Sequence, residues 1–97
     1  MKSVLAISDR DNVATALEGL ESGRGLDVRG TRITVLDPIP RGHKIALTAI
    51  PAGTAVVKYG SPIGLATADI PAGAHVHTHN VASSRGRGDL EPEEQAS

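Results

Sequence analysis

A tetrapeptide of the form Ile-Pro-x-Gly occurs three times in this chain, and each copy precedes a segment with β-strand character. The copies begin at Ile39, Ile50 and Ile70. Proline holds φ at about −65° and glycine accepts positive φ, so each Pro-x-Gly is a turn with a stereochemical cause. A chain of 97 residues is one domain. Repeated turns between short strands therefore predict a small, mainly β domain.

The composition restricts which residues can form the core and which classes of partner the chain can bind. Among Phe, Trp and Tyr only Tyr59 occurs, so the core must consist of Ile, Val, Leu and Ala. There is no cysteine, which excludes a disulfide and a thiolate metal site. Such a thin core favours association, and a homo-oligomer is one expectation. The net charge of −1 and the lack of a signal-like or membrane-length apolar run predict a cytoplasmic protein without nucleic-acid or membrane partners.

One helix is predicted over residues 10–21. Ser8 followed three residues later by Asp11 fits a capping box, and Gly23 is a suitable helix stop. The apolar residues between them have the spacing of one helix face, and they are Val13, Ala16, Leu17 and Leu20. Asp11 and Asn12 either bind a ligand through their side chains or only satisfy backbone N–H groups, and capping is the simpler interpretation.

Strands are predicted in six other segments, 2–7, 31–36, 44–50, 54–59, 63–68 and 74–78. Residues 25–30 are a connection or a short strand. From Ser83 onward almost no apolar residues remain, which predicts a disordered polar tail. The chain thus divides into a domain at 1–82 and a tail at 83–97.

Three of the four histidines lie close together after the third turn. His75, His77 and His79 occupy alternate positions, which point to one face of a strand. Neutral imidazoles at this spacing can converge on a divalent metal, and the alternative is a strand end with solvated or hydrogen-bonded histidines. A metal held by a His-x-His pair also needs a third ligand, and none is evident locally except Asn80 or a residue of another chain.

Two pairs of polar residues lie near the same turns. His43 and Lys44 follow the first turn, where they form either an anion-binding site or an ordinary surface loop. Lys58 and Tyr59 precede a glycine, and Tyr59 is either a site residue or the one core aromatic with its hydroxyl at the rim. The sequence contains no nucleophile elbow, phosphate loop or paired-carboxylate arrangement. These residues alone do not reveal a reaction.

Five sequence blocks, taken in order, resemble one enzyme family. They are Asp11–Ala14, Ile39–Leu47, Val57–Ala66, Asp69–Ile70 and Val76–Asn80. The blocks are similar to the N-terminal SAF domain of altronate dehydratase and galactarate dehydratase, and to the small subunit of sulfolactate sulfo-lyase. The resemblance spans about residues 8–81, and it implies a SAF-like β-clip fold of short, bent strands with long hairpins.

The resemblance implies the small subunit of an altronate dehydratase-like hydro-lyase, which is inactive alone. Its partner is a large catalytic subunit that holds a divalent metal, iron(II) or manganese. The implied reaction is β-elimination of water from a hexonate, through an enediolate, to a 2-keto-3-deoxy acid. The alternatives are the small subunit of sulfolactate sulfo-lyase, a non-catalytic SAF module that binds a carbohydrate or a partner, and an isolated metal-binding protein.

The same resemblance identifies candidate site residues. An enediolate needs cationic groups to stabilise its charge, and the leaving hydroxyl needs a proton donor. The predicted catalytic residues are His43, Lys58, His77 and His79. The predicted substrate-binding residues are Asp11, Asn12, Lys44, Tyr59 and Asn80. A metal-binding role is predicted for His77 and His79.

Overall fold

The structure is a computed structural model that describes residues 2–83. As the sequence predicts, it is mainly β, and short strands follow one another along the described part of the chain. They are β1 (Val4–Leu5), β2 (Val13–Ala16), β3 (Gly25–Val28), β4 (Thr31–Thr34), β5 (Lys44–Ala46), β6 (Ala55–Lys58), β7 (Ser61–Ala66), β8 (His75–Val76) and β9 (Val81–Ala82). Residues 2–83 contain no helix, and therefore none that is long and apolar enough to span a membrane. Of the predicted tail at 83–97, only Ser83 falls within the described residues.

The strands of this region form three antiparallel sheets. Strand order is β1-β2-β5-β8 in the largest sheet, β3-β4 in the second and β6-β7-β9 in the third. Each of the six predicted strand segments overlaps an observed strand, although most observed strands are shorter. The segment 25–30, for which a connection and a strand were both open, contains β3. Strand β9 has no counterpart among the predicted strands.

The predicted helix over 10–21 is wrong, because its middle forms β2. This strand lies between β1 and β5, and both of its faces are buried. Val13 packs in one apolar cluster, whereas Ala14 and Ala16 pack in another. A strand buried on both faces lacks polar alternation, so its apolar residues can also match a helical spacing. Leu17, which the helix would have buried, is 41% exposed.

The three Ile-Pro-x-Gly segments form similar turns, and the structure adds a fourth. Gly42, Gly53 and Gly73 have φ of +87°, +85° and +90°. In each turn the proline carbonyl accepts a hydrogen bond from the N–H three residues later. The segment Leu20-Glu21-Ser22-Gly23 repeats this geometry without proline, with φ of +92° at its glycine and a 3.2 Å hydrogen bond to its Glu21 carbonyl. The predicted helix stop is therefore a turn between strands.

These four turns divide the fold into two similar halves. In the first half, Leu20 and Ile39 form an isolated bridge that closes the β3–β4 hairpin. In the second half, Ile50 and Ile70 form the matching bridge around β6–β7. Both hairpins reverse through two residues with positive φ, as a type I′ turn requires. These residues are Arg29-Gly30 and Tyr59-Gly60. The two halves are repeats of one hairpin unit.

Each half has its own apolar core, and the β1-β2-β5-β8 sheet lies between them. Among the described residues, the buried apolar side chains are all Ala, Val, Leu or Ile, as the composition requires. Strand β5 shows the division, since Ile45 and Leu47 pack with the first half and Ala46 packs with the second. Packing occupies both faces of the central strands, so polar side chains collect at the strand ends, where His43 and His77 lie.

Candidate functional site

The pairing of β5 with β8 brings distant histidines together. The antiparallel register pairs Lys44 with Val76, and one further step places His43 opposite His77. The two rings stack with centroids 3.9 Å apart and planes inclined by 14°. His75 lies two residues before His77, and its Nε2 atom is 2.8 Å from Nδ1 of His43. These three imidazoles form one group, which we call the histidine cluster.

The histidine cluster differs from the grouping that the sequence suggests. Strand β8 ends at Val76, so His79 lies in the following turn rather than on the strand face. His79 is exposed, and its ring is 5.2 Å from that of His75 at an angle of 40°. The third imidazole of the group, which the local sequence does not supply, is that of His43 from the other half of the fold. One signal could have found it, because His43 and His75 each follow an Ile-Pro-x-Gly turn within two residues.

Asn80 positions the turn that carries these histidines. Its side-chain oxygen accepts the His77 N–H over 3.0 Å, and its side-chain amide donates to the His75 carbonyl over 2.9 Å. The carboxylate of Asp37, a residue that sequence reasoning missed, accepts the His75 N–H over 3.0 Å. The predicted substrate contact of Asn80 stays a prediction, and the contacts observed here assign it a positioning role.

The histidine cluster suits a divalent metal ion. One ring nitrogen from each of His43, His75 and His77 lies within 4.8 Å of the other two. Nδ1 of His77 is buried and has no hydrogen-bond partner among residues 2–83. Burial lowers the pKa of His75 and of His77, and the charges of neighbouring histidines lower both further. Both rings therefore favour the neutral form, which is the form that binds metal.

A cationic surface adjoins the histidine cluster. Lys44 follows His43 in the chain; burial lowers the pKa of Lys44, and the charge of Lys58 lowers it further. The Lys44 charge in turn contributes to the lowered pKa of His77. Because these groups repel one another when charged, an anion bound among them would relieve the repulsion. The surface is therefore suited to a carboxylate.

Tyr59 and Thr15 extend this surface. Tyr59 is 41% exposed, so it is a surface residue and not a core aromatic. Its ring centroid lies 5.0 Å from Nζ of Lys58, and its hydroxyl is 3.2 Å from Oγ1 of Thr15. Thr15 pairs with Lys44 across β2 and β5. Sequence reasoning missed Thr15, because the segment around it was assigned to a helix.

Asp11 and Asn12 use their side chains within the fold. Asp11 is 5% exposed, and its carboxylate accepts three backbone N–H groups at 2.7–3.1 Å. These belong to Ile7, Ser8 and Gly60. Asn12 accepts the Val57 N–H and donates to the Ala55 carbonyl, beside the irregular register of β6. Both side chains thus satisfy backbone groups, but in loops and a strand rather than at a helix cap. Their predicted substrate contacts stay a prediction.

Replacing Asp11 with asparagine is expected to destabilise the fold by about 2 kcal/mol, because hydrogen bonds to a charged group contribute about 1.5–3 kcal/mol. Burial acts to raise the pKa of Asp11, but backbone N–H donors, that of Gly60 foremost, together lower it below that of an ordinary carboxyl. The stabilisation is therefore complete above about pH 4 and is lost as the pH falls through the lowered pKa.

Urea unfolding at about pH 7 and about pH 3 checks this expectation on either side of the carboxyl titration. The wild-type chain should lose stability between the two values, and Asp11→Asn should lose less. Asp9→Asn, which changes an exposed carboxylate two residues away, is the matched control and should stay within about 0.5 kcal/mol of wild type. Wild-type stability of Asp11→Asn at the higher pH would contradict the proposed role.

Comparison with known proteins identifies the family. Residues 2–84 match the family model of the altronate/galactarate dehydratase SAF domain. The chain is 46% identical over 84 residues to altronate dehydratase of Bacillus subtilis strain 168, which covers 87% of this chain and 17% of the relative. It is 50% identical over 74 residues to altronate dehydratase of Escherichia coli strain K12, covering 76% of this chain and 15% of the relative. It is 48% identical over 54 residues to subunit alpha of (2R)-sulfolactate sulfo-lyase of Paracoccus pantotrophus, covering 56% of this chain and 81% of the relative.

The relatives are of two kinds, which differ in how much of their own length the match to this chain covers. This chain spans about a sixth of the length of the two altronate dehydratases, but most of the length of the sulfo-lyase subunit. A domain of this kind therefore occurs both within a long dehydratase and as a subunit of a lyase. The family-model match includes all five blocks on which the resemblance was based. The chain belongs to the SAF-domain family of altronate and galactarate dehydratases.

Proposed function

We propose that this chain is the SAF subunit of a sugar-acid hydro-lyase and builds the active site together with a separate, larger catalytic subunit. The proposed reaction is β-elimination of water from a hexonate to give a 2-keto-3-deoxy acid. The observation that carries the proposal is the position of Lys44 beside the histidine cluster, with Lys58 close enough to Lys44 to lower its pKa. The activity named for the altronate dehydratase relatives supports the substrate class.

The charge pattern suits the anionic intermediate of this reaction. A base of the larger subunit removes the proton on C2, next to the carboxylate, and leaves an enediolate. The C3–O bond then breaks, the departing hydroxyl takes up a proton and leaves as water, and the enol rearranges to the ketone. Fixed cations beside the carboxylate stabilise the developing charge, most strongly when water is excluded.

The side chains of the cationic surface take separate roles in this proposal. Lys44 and Lys58 bind the substrate carboxylate, whose charge offsets the repulsion between the two ammonium groups. The hydroxyls of Tyr59 and Thr15, which lie at the surface beside Lys58, hydrogen-bond to hydroxyls of the sugar chain. His79 is exposed next to the histidine cluster and gives a proton to the leaving hydroxyl. Imidazole suits this task because it exchanges protons near neutral pH.

A divalent ion, iron(II) or manganese, is part of the proposal and is held mainly by the larger subunit. When bound, such an ion acts as a Lewis acid that stabilises the oxygens of an enediolate. His77 and His79 were both predicted to bind it; in this proposal His77 is the ligand from this chain, because His79 supplies the proton for the leaving hydroxyl. The ring of His43 stacks on that of His77, and the side chain of Asn80 accepts the backbone N–H of His77. His43 and Asn80 therefore both orient the His77 ring at the edge of the sheet.

A sulfo-lyase subunit is the second candidate. The match to subunit alpha of (2R)-sulfolactate sulfo-lyase covers 81% of that subunit, so most of that relative is a domain of this kind. The elimination would differ in the leaving group, which is sulfite instead of hydroxide. Sulfite is a much weaker base than hydroxide and leaves without a proton donor, so the two reactions place different demands on His79.

Co-purification with the large lyase subunit encoded in the same genome tests the proposal. The complex should convert a hexonate to a 2-keto-3-deoxy acid, and neither protein should do so alone. Hexarates and sulfolactate are assayed in parallel, with pyruvate and sulfite release as the sign of a sulfo-lyase. Turnover by this chain alone would contradict the proposal. Failure to recover a lyase subunit, with carbohydrate binding by the chain alone, would replace it with a non-catalytic binding module.

A further inference from the structure

We propose that His43, His75 and His77 form a transition-metal site that belongs to this chain and needs no ligand from a partner. The proposal concerns metal binding by the chain itself, and it stands whether or not the lyase function is correct. The three side chains come from the ends of two paired strands, so the fold holds them close together before an ion binds.

The spacing of the ring nitrogens fits a single ion. Metal–imidazole bonds are about 2.0–2.1 Å long, which puts two nitrogens of a tetrahedral site about 3.4 Å apart. One nitrogen of each ring in the histidine cluster lies within 4.8 Å of the other two. Separately, Nδ1 of His43 is 2.8 Å from Nε2 of His75. The rings are stacked with planes inclined by only 10–21°, so they have to turn out of the stack before their in-plane lone pairs can meet at one ion.

The environment of His77 supports the same conclusion. Its Nδ1 atom is buried without a hydrogen-bond partner in the described part of the chain. Unpaired buried polar atoms are rare in folded proteins and each needs an explanation. An ion that takes this nitrogen as a ligand, directly or after a ring flip, would satisfy it.

The three imidazoles cannot all satisfy one another through hydrogen bonds, whereas one ion could bind a nitrogen of each ring. The contact between His43 and His75 needs one ring to donate and the other to accept. His77 has no such partner for its buried nitrogen, although its ring lies 3.9 Å from His43 and 5.6 Å from His75. A single cation accepts lone pairs from all three rings at once.

The donor set selects the class of ion. Imidazole nitrogens without a thiolate or a carboxylate suit Zn²⁺, Fe²⁺, Co²⁺, Ni²⁺ or Cu²⁺, whereas Mg²⁺ and Ca²⁺ prefer oxygen ligands. Asp37 lies outside the donor set, but it fixes the backbone of His75 and adds a negative charge nearby. Three protein ligands leave at least one position for water or an oxygen of a bound molecule.

Calorimetric titration of the untagged chain with Zn²⁺ and with Co²⁺ tests the proposal. One equivalent of either ion should bind, whereas Mg²⁺ should give no heat above buffer. Bound Co²⁺ should develop visible absorption typical of nitrogen ligation. The unfolding temperature should rise with the concentration of Zn²⁺, because the ion binds the folded chain. A polyhistidine tag has to be absent, since it would bind the same ions.

Substitutions assign the binding to the three histidines. His43→Gln and His77→Gln should each weaken Zn²⁺ binding by at least about tenfold, because losing even an outer partner of a metal ligand lowers affinity by about 10–100-fold. His79→Gln is the matched control, since it removes an exposed imidazole next to the histidine cluster and should keep the wild-type affinity. Circular dichroism without metal shows which variants are folded.

Three results would overturn the proposal. The first is no Zn²⁺ binding by the folded wild-type chain, which decides the matter even if a variant fails to fold. The second is wild-type affinity in both His43→Gln and His77→Gln. The third is an equal loss in His79→Gln, which would mean a different ligand set. Turnover is not a readout here, so the metal site and the lyase function can fail separately.

Discussion

Replacing His79 with glutamine is expected to lower turnover of the assembled lyase by about 10²–10⁴-fold, the usual contribution of a positioned proton donor. His79 is exposed in the turn after β8, beside the ring of His75 but outside the histidine cluster. Glutamine keeps a polar side chain there but cannot transfer a proton. The measurement is keto-acid formation from a hexonate by the complex, with assembly checked by gel filtration.

His77→Gln is the informative counterpart of this variant. Both substitutions should lower turnover, but only His77→Gln should also weaken Zn²⁺ binding, because His79 is not one of the three clustered ligands. With sulfolactate as substrate, His79→Gln should retain much more activity, since sulfite leaves without a proton. Wild-type turnover of a hexonate by the His79→Gln complex would remove His79 from the mechanism.

Replacing Gly73 with alanine is expected to destabilise the fold by about 3 kcal/mol or more, from a left-handed backbone and an overpacked neighbour together. Gly73 has φ of +90°, and a Cβ at this position would overlap the carbonyl oxygen of Thr34, which is backbone of the other half. The two segments cannot separate freely, because the Leu36 N–H donates to the Gly73 carbonyl over 2.9 Å. A domain of this size has a stability of about 5–15 kcal/mol, so the loss is a large fraction of the total.

Gly53→Ala is the matched control for Gly73→Ala. Gly53 occupies the equivalent turn with φ of +85°, but its surroundings leave open space for a Cβ. Only the backbone term of about 1–2 kcal/mol should apply there. Thermal unfolding should separate the variants, because each kcal/mol shifts Tm by about 4–8 °C in a domain of this size. If Gly73→Ala and Gly53→Ala lowered Tm equally, the close approach of Thr34 to Gly73 would not contribute to the loss of stability.

The turns and most strands could be predicted because their causes are local. Proline and glycine at fixed offsets restrict φ within four residues, so the three Ile-Pro-x-Gly turns follow from the residues themselves. The fourth turn, at Leu20 to Gly23, lacks proline and has no comparable signal. The sequence therefore predicts the end of a helix there, and only the bridge between Leu20 and Ile39 shows that this turn matches the others.

The false helix over 10–21 and the histidine grouping have one physical origin. Val13 and Ala14 point to opposite cores, which no local pattern shows, because burial on both faces removes the polar alternation of a strand. In the same way, His75 and His77 could be placed on one face from their spacing. Their neighbour His43 is more than thirty positions away in the chain and reaches them through the β5–β8 register.

Backbone preferences of single residues and short family blocks were thus sufficient to establish a mainly β domain, its principal turns and its family. The long-range strand register established which side chains meet: His43 with His75 and His77, and Thr15 with Lys44. The reason is that φ restrictions act within a few residues, whereas register depends on the two cores, whose members come from all parts of the described chain.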